Sequence, residues 1–352
     1  MMKKLAFLLI PAFILAGCKK DEEQSDEAKI LDFSITSSSI ANFSLEDVFI
    51  DDELSKVLVL SQNSLAGENP PISFTPEISV SEGATIVPAS GQEVTFQNKE
   101  GAVTYVVTAE NGTETKWAFT IRDMQLPNGD FEDWFDTVGM NSLPLREPGL
   151  SAASTIWSTA NMATSLYDKS GTTELIEGDN TLVKIVTDNT PTVPVTSATI
   201  FTGRFDMQGA IRNPTDPDQA TLFGIPFTFR PKAIRFKYKY TPGEDYIQGT
   251  LNNPNDIFGG FTITHLDGGD KCFAWSNLEI IDGDDITLVG RAELIQGDTV
   301  AELTEVTLPY VYESDLRPTH ITVVFASSKE GSKYTGAVGS TLIIDDVELI
   351  YE

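Results

Sequence analysis

Apolar and polar positions alternate in short runs along most of the chain, and over residues 30–123 no window of helix length holds a convincing 3.6-residue period. Over residues 30–123 these runs are divided by Gly, Pro and Asn, which predicts short strands. The clearest are 103–108 and 116–121, joined through Asn111-Gly112, a pair that accepts the positive φ angles of a tight hairpin turn. Trp117, Phe119 and Ile121 then share one face. Residues 78–88 and 93–96 add further strands, and about ninety residues of this kind predict a small sandwich. The pattern breaks at Leu126-Pro127-Asn128-Gly129 and resumes with strands predicted at 181–187, 234–240, 258–264, 286–295, 319–326 and 341–351. Between Ile234 and Tyr240 the alternation is complete, with Arg235, Lys237 and Lys239 opposite the aromatics, so that strand has one buried and one wet face. No segment repeats closely enough for a solenoid. The expected fold is all-β: a sandwich over 30–123, then a larger jelly roll over 126–352.

The N-terminus reads differently. Lys3 and Lys4 precede an apolar run from 5 to 17, too short to cross a bilayer of about 30 Å as a helix. It predicts a cleaved signal over 1–17. The run ends Leu15-Ala16-Gly17-Cys18, which resembles the bacterial lipobox and implies that Cys18 becomes a lipidated mature terminus; an ordinary secretory signal with an accidental cysteine is the alternative. Residues 18–29 are charged and lack aromatics, so they form a flexible acidic tether. A basic residue followed by acidic ones just after the lipidated cysteine is similar to the signal that exports Bacteroidetes lipoproteins to the outer face of the outer membrane. A periplasm-facing spacer would share that composition.

Charge narrows the partners. With 52 Asp+Glu against 24 Lys+Arg and a formal charge of −28, the chain lacks the clustered cations that phosphate contacts need, which excludes nucleic acid as the main partner. Two cysteines support neither a disulfide framework nor a thiolate zinc cluster. With Cys18 lipidated, Cys272 stands alone and is expected to be a small buried side chain rather than a nucleophile.

Two sets of motifs suggest families. The runs 78–91 and 103–121 resemble the immunoglobulin-like modules at the start of Bacteroidetes surface lipoproteins. Asn128-Gly129-Asp130-Phe131-Glu132-Asp133-Trp134 and the run 341–351 look like the paired first and last strands of jelly-roll carbohydrate-binding modules. Segments 223–244 and 326–351 resemble more narrowly the "putative carbohydrate metabolism domain" of Bacteroidetes lipoproteins. That resemblance implies a glycan partner and, from related carbohydrate-binding jelly rolls, a structural calcium. Matched by motif, the Asp130 carbonyl and the Glu132, Glu177 and Asp345 carboxylates would surround the ion with the Asn180 carbonyl. The residues point the same way: one of Asp345 and Asp346 must face an apolar layer, where a carboxylate needs a cation or hydrogen-bond donors, and calcium accepts six to eight oxygens. Pairing with loop amides or a nearby Lys or Arg is the metal-free alternative.

Sugar recognition calls for flat aromatic faces beside amides, carboxylates or guanidinium groups. Trp157, Trp275, Tyr246, Asn161, Asn277 and Arg204 are the candidates, Trp157 and Trp275 because their neighbours are small and polar. Trp134, directly after the first-strand motif, is expected in the core. Catalysis has weaker support. A glycosidase needs two carboxylates at a set separation, and acids are too abundant here to nominate a pair. His265 and His320 are the only imidazoles and no Gly-x-Ser-x-Gly elbow occurs. The expected protein is an outer-membrane-anchored carbohydrate-binding lipoprotein; a glycoside hydrolase and a structural or adhesive surface protein are the alternatives.

Overall fold

The computed structural model describes residues 24–65, 68–283 and 285–351. Cys18 and the signal over 1–17 lie outside the described residues. Of the described residues 52% are strand and 8% helix, an all-β sandwich architecture. Among the described residues two separate apolar cores form, one from residues between 28 and 121 and one from residues between 126 and 349.

The first core lies between a three-stranded and a five-stranded sheet. Ile30–Ser38, Ile72–Val80 and Val94–Phe96 make the smaller sheet, and Leu45–Asp51, Lys56–Ser61, Glu114–Arg122, Val103–Thr108 and Thr85–Val87 make the larger, in spatial order. Phe33, Phe74, Phe96 and Phe119 interlock there, with ring centroids 4.8–6.2 Å apart. Trp117, Phe119 and Ile121 do share the buried face. The hairpin they belong to closes through five residues rather than two: Ala109 N–H donates to Thr113 O (2.8 Å), and of the Asn-Gly pair only Gly112 takes positive φ (89°). A three-to-five-residue connection holding one left-handed glycine closes this hairpin.

The second core lies between an eight-stranded sheet and a five-stranded one. The five-stranded sheet runs Thr172–Glu177, Asn180–Val186, Thr341–Ile350, Ala233–Thr241, Val300–Pro309. As the alternation requires, Ile234, Phe236, Tyr238 and Tyr240 are buried, while Arg235, Lys237 and Lys239 turn outward to Glu348, Asp346 (2.5 Å) and Glu177 (3.4 Å). The expected 258–264 strand begins later, at Phe261–His265, because 257–259 winds into a 3₁₀ turn that leaves Phe258 74% exposed.

The two ends of this unit meet, by a route other than strand pairing. Trp134–Val138 pairs with Pro144–Pro148, and the last strand lies between Asn180–Val186 and Ala233–Thr241. The irregular stretch 124–133 lies along that last strand instead: Val347 N–H donates to Gly129 O (2.7 Å), Gln125 exchanges two bonds with Leu349, and Tyr351 Oη donates to Met124 O (2.6 Å). A Cβ on Gly129 would come within 2.3 Å of Val347 O, so only glycine permits this approach. Trp134 is 8% exposed and donates to Phe131 O, as expected of a core residue. Polar contacts also tie the two sandwiches together, among them Arg204 to Glu53 (2.8 Å), Asn128 N–H to Glu100 (2.9 Å) and Arg317 to Glu46 (2.5 Å).

Candidate functional site

The main strands of the eight-stranded sheet stand in the order Trp157–Thr159, Thr199–Phe205, His320–Ala326, Cys272–Asp282, Asp285–Gln296 and Val311–Tyr312. Cys272, Ala274 and Leu278 point into the core, so period-2 alternation sends Phe273, Trp275, Asn277 and Glu279 to the outer face. These four side chains extend over about 20 Å at ~3.3 Å per residue. Their cross-strand neighbours on that face are Ile295, Glu293 and Arg291 on one side and Ala326, Val324, Thr322 and His320 on the other.

Trp275 is the centre of this surface. It is half-buried, its ring meeting Phe223 edge-on at 5.6 Å, and Phe223, 39% exposed, meets the buried Phe201 at 5.3 Å. Phe201, Val324 and Thr322 on this face are buried, so what the face exposes here is part of Trp275 and of Phe223. Along the strand, Asn277 Nδ2 donates to Glu279 Oε1 (2.9 Å) and Thr322 Oγ1 to Glu279 Oε2 (2.9 Å), while Asn277 Oδ1 is buried without a donor. An acceptor left in that state costs about 1–3 kcal/mol, which an ordered water inside the fold would recover. Arg291 holds Glu293 at 2.6 Å beside Trp275, and burial draws the His320 imidazole below its ordinary value. At the far end of the face Lys329 Nζ stands 5.8 Å over the Phe273 ring.

The six sugar-contact candidates divide. Trp275 and Asn277 share the outer face, and Tyr246 lines a cavity at its Phe273 end. Trp157 and Asn161 do not belong to it. Trp157 is 2% exposed, stacked on Phe131 (5.1 Å) and donating to Pro127 O (2.9 Å). Asn161, also 2% exposed, clasps Thr172 through both its amide groups. Small polar neighbours marked a turn packed against the core here, rather than exposure. Arg204 is engaged by Glu53 of the first sandwich. Phe223, Phe273, Glu279, Arg291 and Glu293 were not foreseen, although the strict alternation of 272–279, small or apolar on one side and aromatic or polar on the other, was readable as a two-faced strand.

Elsewhere, Glu147 accepts bonds from Thr159 and Asn161, and burial raises its carboxyl to about 7; no second acid contributes to that shift. Cys272 is buried, its thiol pushed up to about 12 by desolvation, which makes it an inert core residue.

The proposed calcium ligands come together in part. Glu132 Oε1 accepts from Thr181 N–H (3.0 Å), and Asp345, 1% exposed, accepts from Asn180 Nδ2 (2.8 Å) and Asp346 N–H (2.8 Å). A bulge at Asp346 (φ 50°) resets the strand so that Leu342 and Ile344 before it and Val347 and Leu349 after it all face the core. Burial raises the Asp345 carboxyl, with the Asn180 bond opposing. Glu177 turns to Lys239, Asp130 is exposed, and among the described residues no three His, Cys, Asp or Glu side chains group closely enough to hold a metal. The donor set, two carboxylates and an amide near backbone carbonyls, suits a hard cation only if carbonyls complete the shell.

The fold is that of an all-β sandwich protein, and its family is carbohydrate-related. The family profile described as "Putative carbohydrate metabolism domain" matches residues 130–350, and the chain belongs to that family. The profile described as "SGBP, N-terminal" matches residues 35–121. A solved structure titled as a putative glycoside hydrolase from Bacteroides thetaiotaomicron is 24% identical with TM-score 0.55, covering 94% of this chain and 99% of its own. A second, so titled from Bacteroides vulgatus, is 20% identical with TM-score 0.52, covering 63% and 97%. At those identities the likeness is one of fold. No curated protein matches the chain.

Proposed function

We propose that the protein binds glycan along the outer face of the eight-stranded sheet, as a lipoprotein held by Cys18 at the cell surface. One observation carries the site: a half-buried Trp275 packed on Phe223, next to the exposed Arg291–Glu293 pair. Aromatic carbons cover the C–H face of a pyranose while the polar groups meet its hydroxyls. The match to the SGBP N-terminal profile supports the surface setting. Replacing Cys18 with alanine is then expected to move the protein from the membrane fraction to the soluble one.

The test is a glycan array on the full mature chain, followed by calorimetry on any hit and an assay for released reducing ends. Trp275→Ala should cost about 1–3 kcal/mol of binding, roughly tenfold or more, by analogy with base–aromatic stacking, with a much smaller loss of stability than truncation of a fully buried tryptophan. Full affinity in that variant would refute the site. Reducing ends released at catalytic rates would replace the binder with a hydrolase.

Calcium at the junction of Glu132, Asn180 and Asp345 belongs to the same reading, with carbonyls of 130 and 180 filling the shell and the Asn180 amide turned to present oxygen. A hundredfold excess of calcium over its Kd should stabilise the fold by about 2.7 kcal/mol, reversed by chelator and lost in Asp345→Asn. Identical melting curves with calcium and with chelator would remove the ion from the account.

A further inference from the structure

We infer that the cavity at the Phe273 end of the sheet face takes a sugar unit bearing an anionic group, a uronate carboxylate or a sulfate ester. The inference rests on the glycan-binding reading and names the chemistry of one subsite. The cavity, about 210 Å³, is lined by Tyr246, Asp270, Lys271, Ile295, Lys329 and Glu330. Phe273 lies opposite Ile295 in register, so the cavity continues the row that holds Trp275. Lys329 N–H donates to Lys271 O at 2.8 Å, which sets the two lysines side by side at its wall.

The charges there are unequal in availability. Asp270, 2% exposed, spends its carboxylate inward on the Ser328 and Ser340 hydroxyls and the Ala337 and Lys271 amides, at 2.5–2.8 Å. Glu330 is bridged by Lys329 (2.6 Å) and Lys333 (2.7 Å), which hold its carboxyl well below the usual range. Among the described residues nothing pairs with Lys271 Nζ or with the Tyr246 hydroxyl. A free ammonium beside a free hydroxyl, with the Tyr246 and Phe273 rings near at hand, is a donor set for an oxyanion on a sugar. The chain as a whole carries −28, so long-range steering repels an anion, and recognition must act at contact range, inside a Debye length of about 8 Å.

The experiment uses the full mature chain on an array holding neutral, uronate-bearing and sulfated versions of the same backbones, with hits titrated at two salt concentrations. Acidic members are expected to bind about tenfold tighter than their neutral counterparts. Lys271→Met should erase that margin and the salt dependence without changing the melting temperature, since Lys271 is exposed; the uronate and sulfate arms identify the anion. Equal binding of acidic and neutral members, or a margin that survives Lys271→Met, overturns the anionic subsite and leaves glycan binding standing. Silence across all three arms overturns both.

Discussion

Replacing Trp157 with alanine is expected to destabilise the second sandwich by about 3–5 kcal/mol, the cost of deleting a buried aromatic that cannot be refilled, and to lower its melting temperature by roughly 10 °C for a unit of this size. Its indole fills the space against Phe131 and its N–H satisfies Pro127 O, so truncation opens a cavity and leaves a carbonyl without its donor. Glycan affinity measured on the folded fraction should stay at the parent level. The contrast with Trp275→Ala is the point of the measurement. The two tryptophans stand in similar polar surroundings along the chain, and alanine should remove stability at one and binding at the other. A melting temperature within a degree or two of the parent would show that Trp157 is not packed as described.

The second large effect is expected at Asp270. Its carboxylate gathers donors from three separate stretches of chain, and Ser328 is linked in turn to Thr187 (2.6 Å). Asp270→Ala takes the acceptor from the Ser340 hydroxyl and the Ala337 amide and leaves Ser328 only its bond to Thr187, at about 1–3 kcal/mol for each group that water cannot reach. A total loss near 3–5 kcal/mol follows, measured by denaturant unfolding. Because the same loops carry Lys271 and Lys329, the variant should also loosen the cavity, and its acidic-glycan margin should fall even in conditions where the sandwich remains folded. Asp270→Asn, which keeps one acceptor oxygen, should lose less. Equal stability of the alanine variant and the parent would mean that the network is already open to solvent.

Much of the fold was legible because strand alternation is local. Ile234 to Tyr240 shows the limiting case: a residue every ~3.3 Å with successive side chains on opposite faces forces Phe236 and Tyr238 inward and Lys237 outward whatever the neighbouring strands are. The run 272–279 carried equal information and yielded Trp275 and Asn277, yet the weight given to polar neighbours also drew in Trp157, where they line a turn packed against the core. The hairpin at Asn111-Gly112 was right in its partners and wrong in its length, since loop length depends on how the flanking strands twist together. Asp345 and Asn180, distant in sequence, do meet; which atom faces which could not be read from their order.

By itself, then, the sequence of this protein determined its all-β class, its two apolar cores and the direction most strand residues face, because those follow from solubility and a two-residue repeat that each short segment enforces alone. Only the tertiary structure decided that Phe223 and Phe201 brace Trp275, that Asp270 is spent inward while Lys271 is left free, and that an irregular stretch rather than a strand lines the final one. Those outcomes depend on which distant segments become neighbours, and the energies that choose among neighbours are sums over many weak contacts that no local pattern encodes.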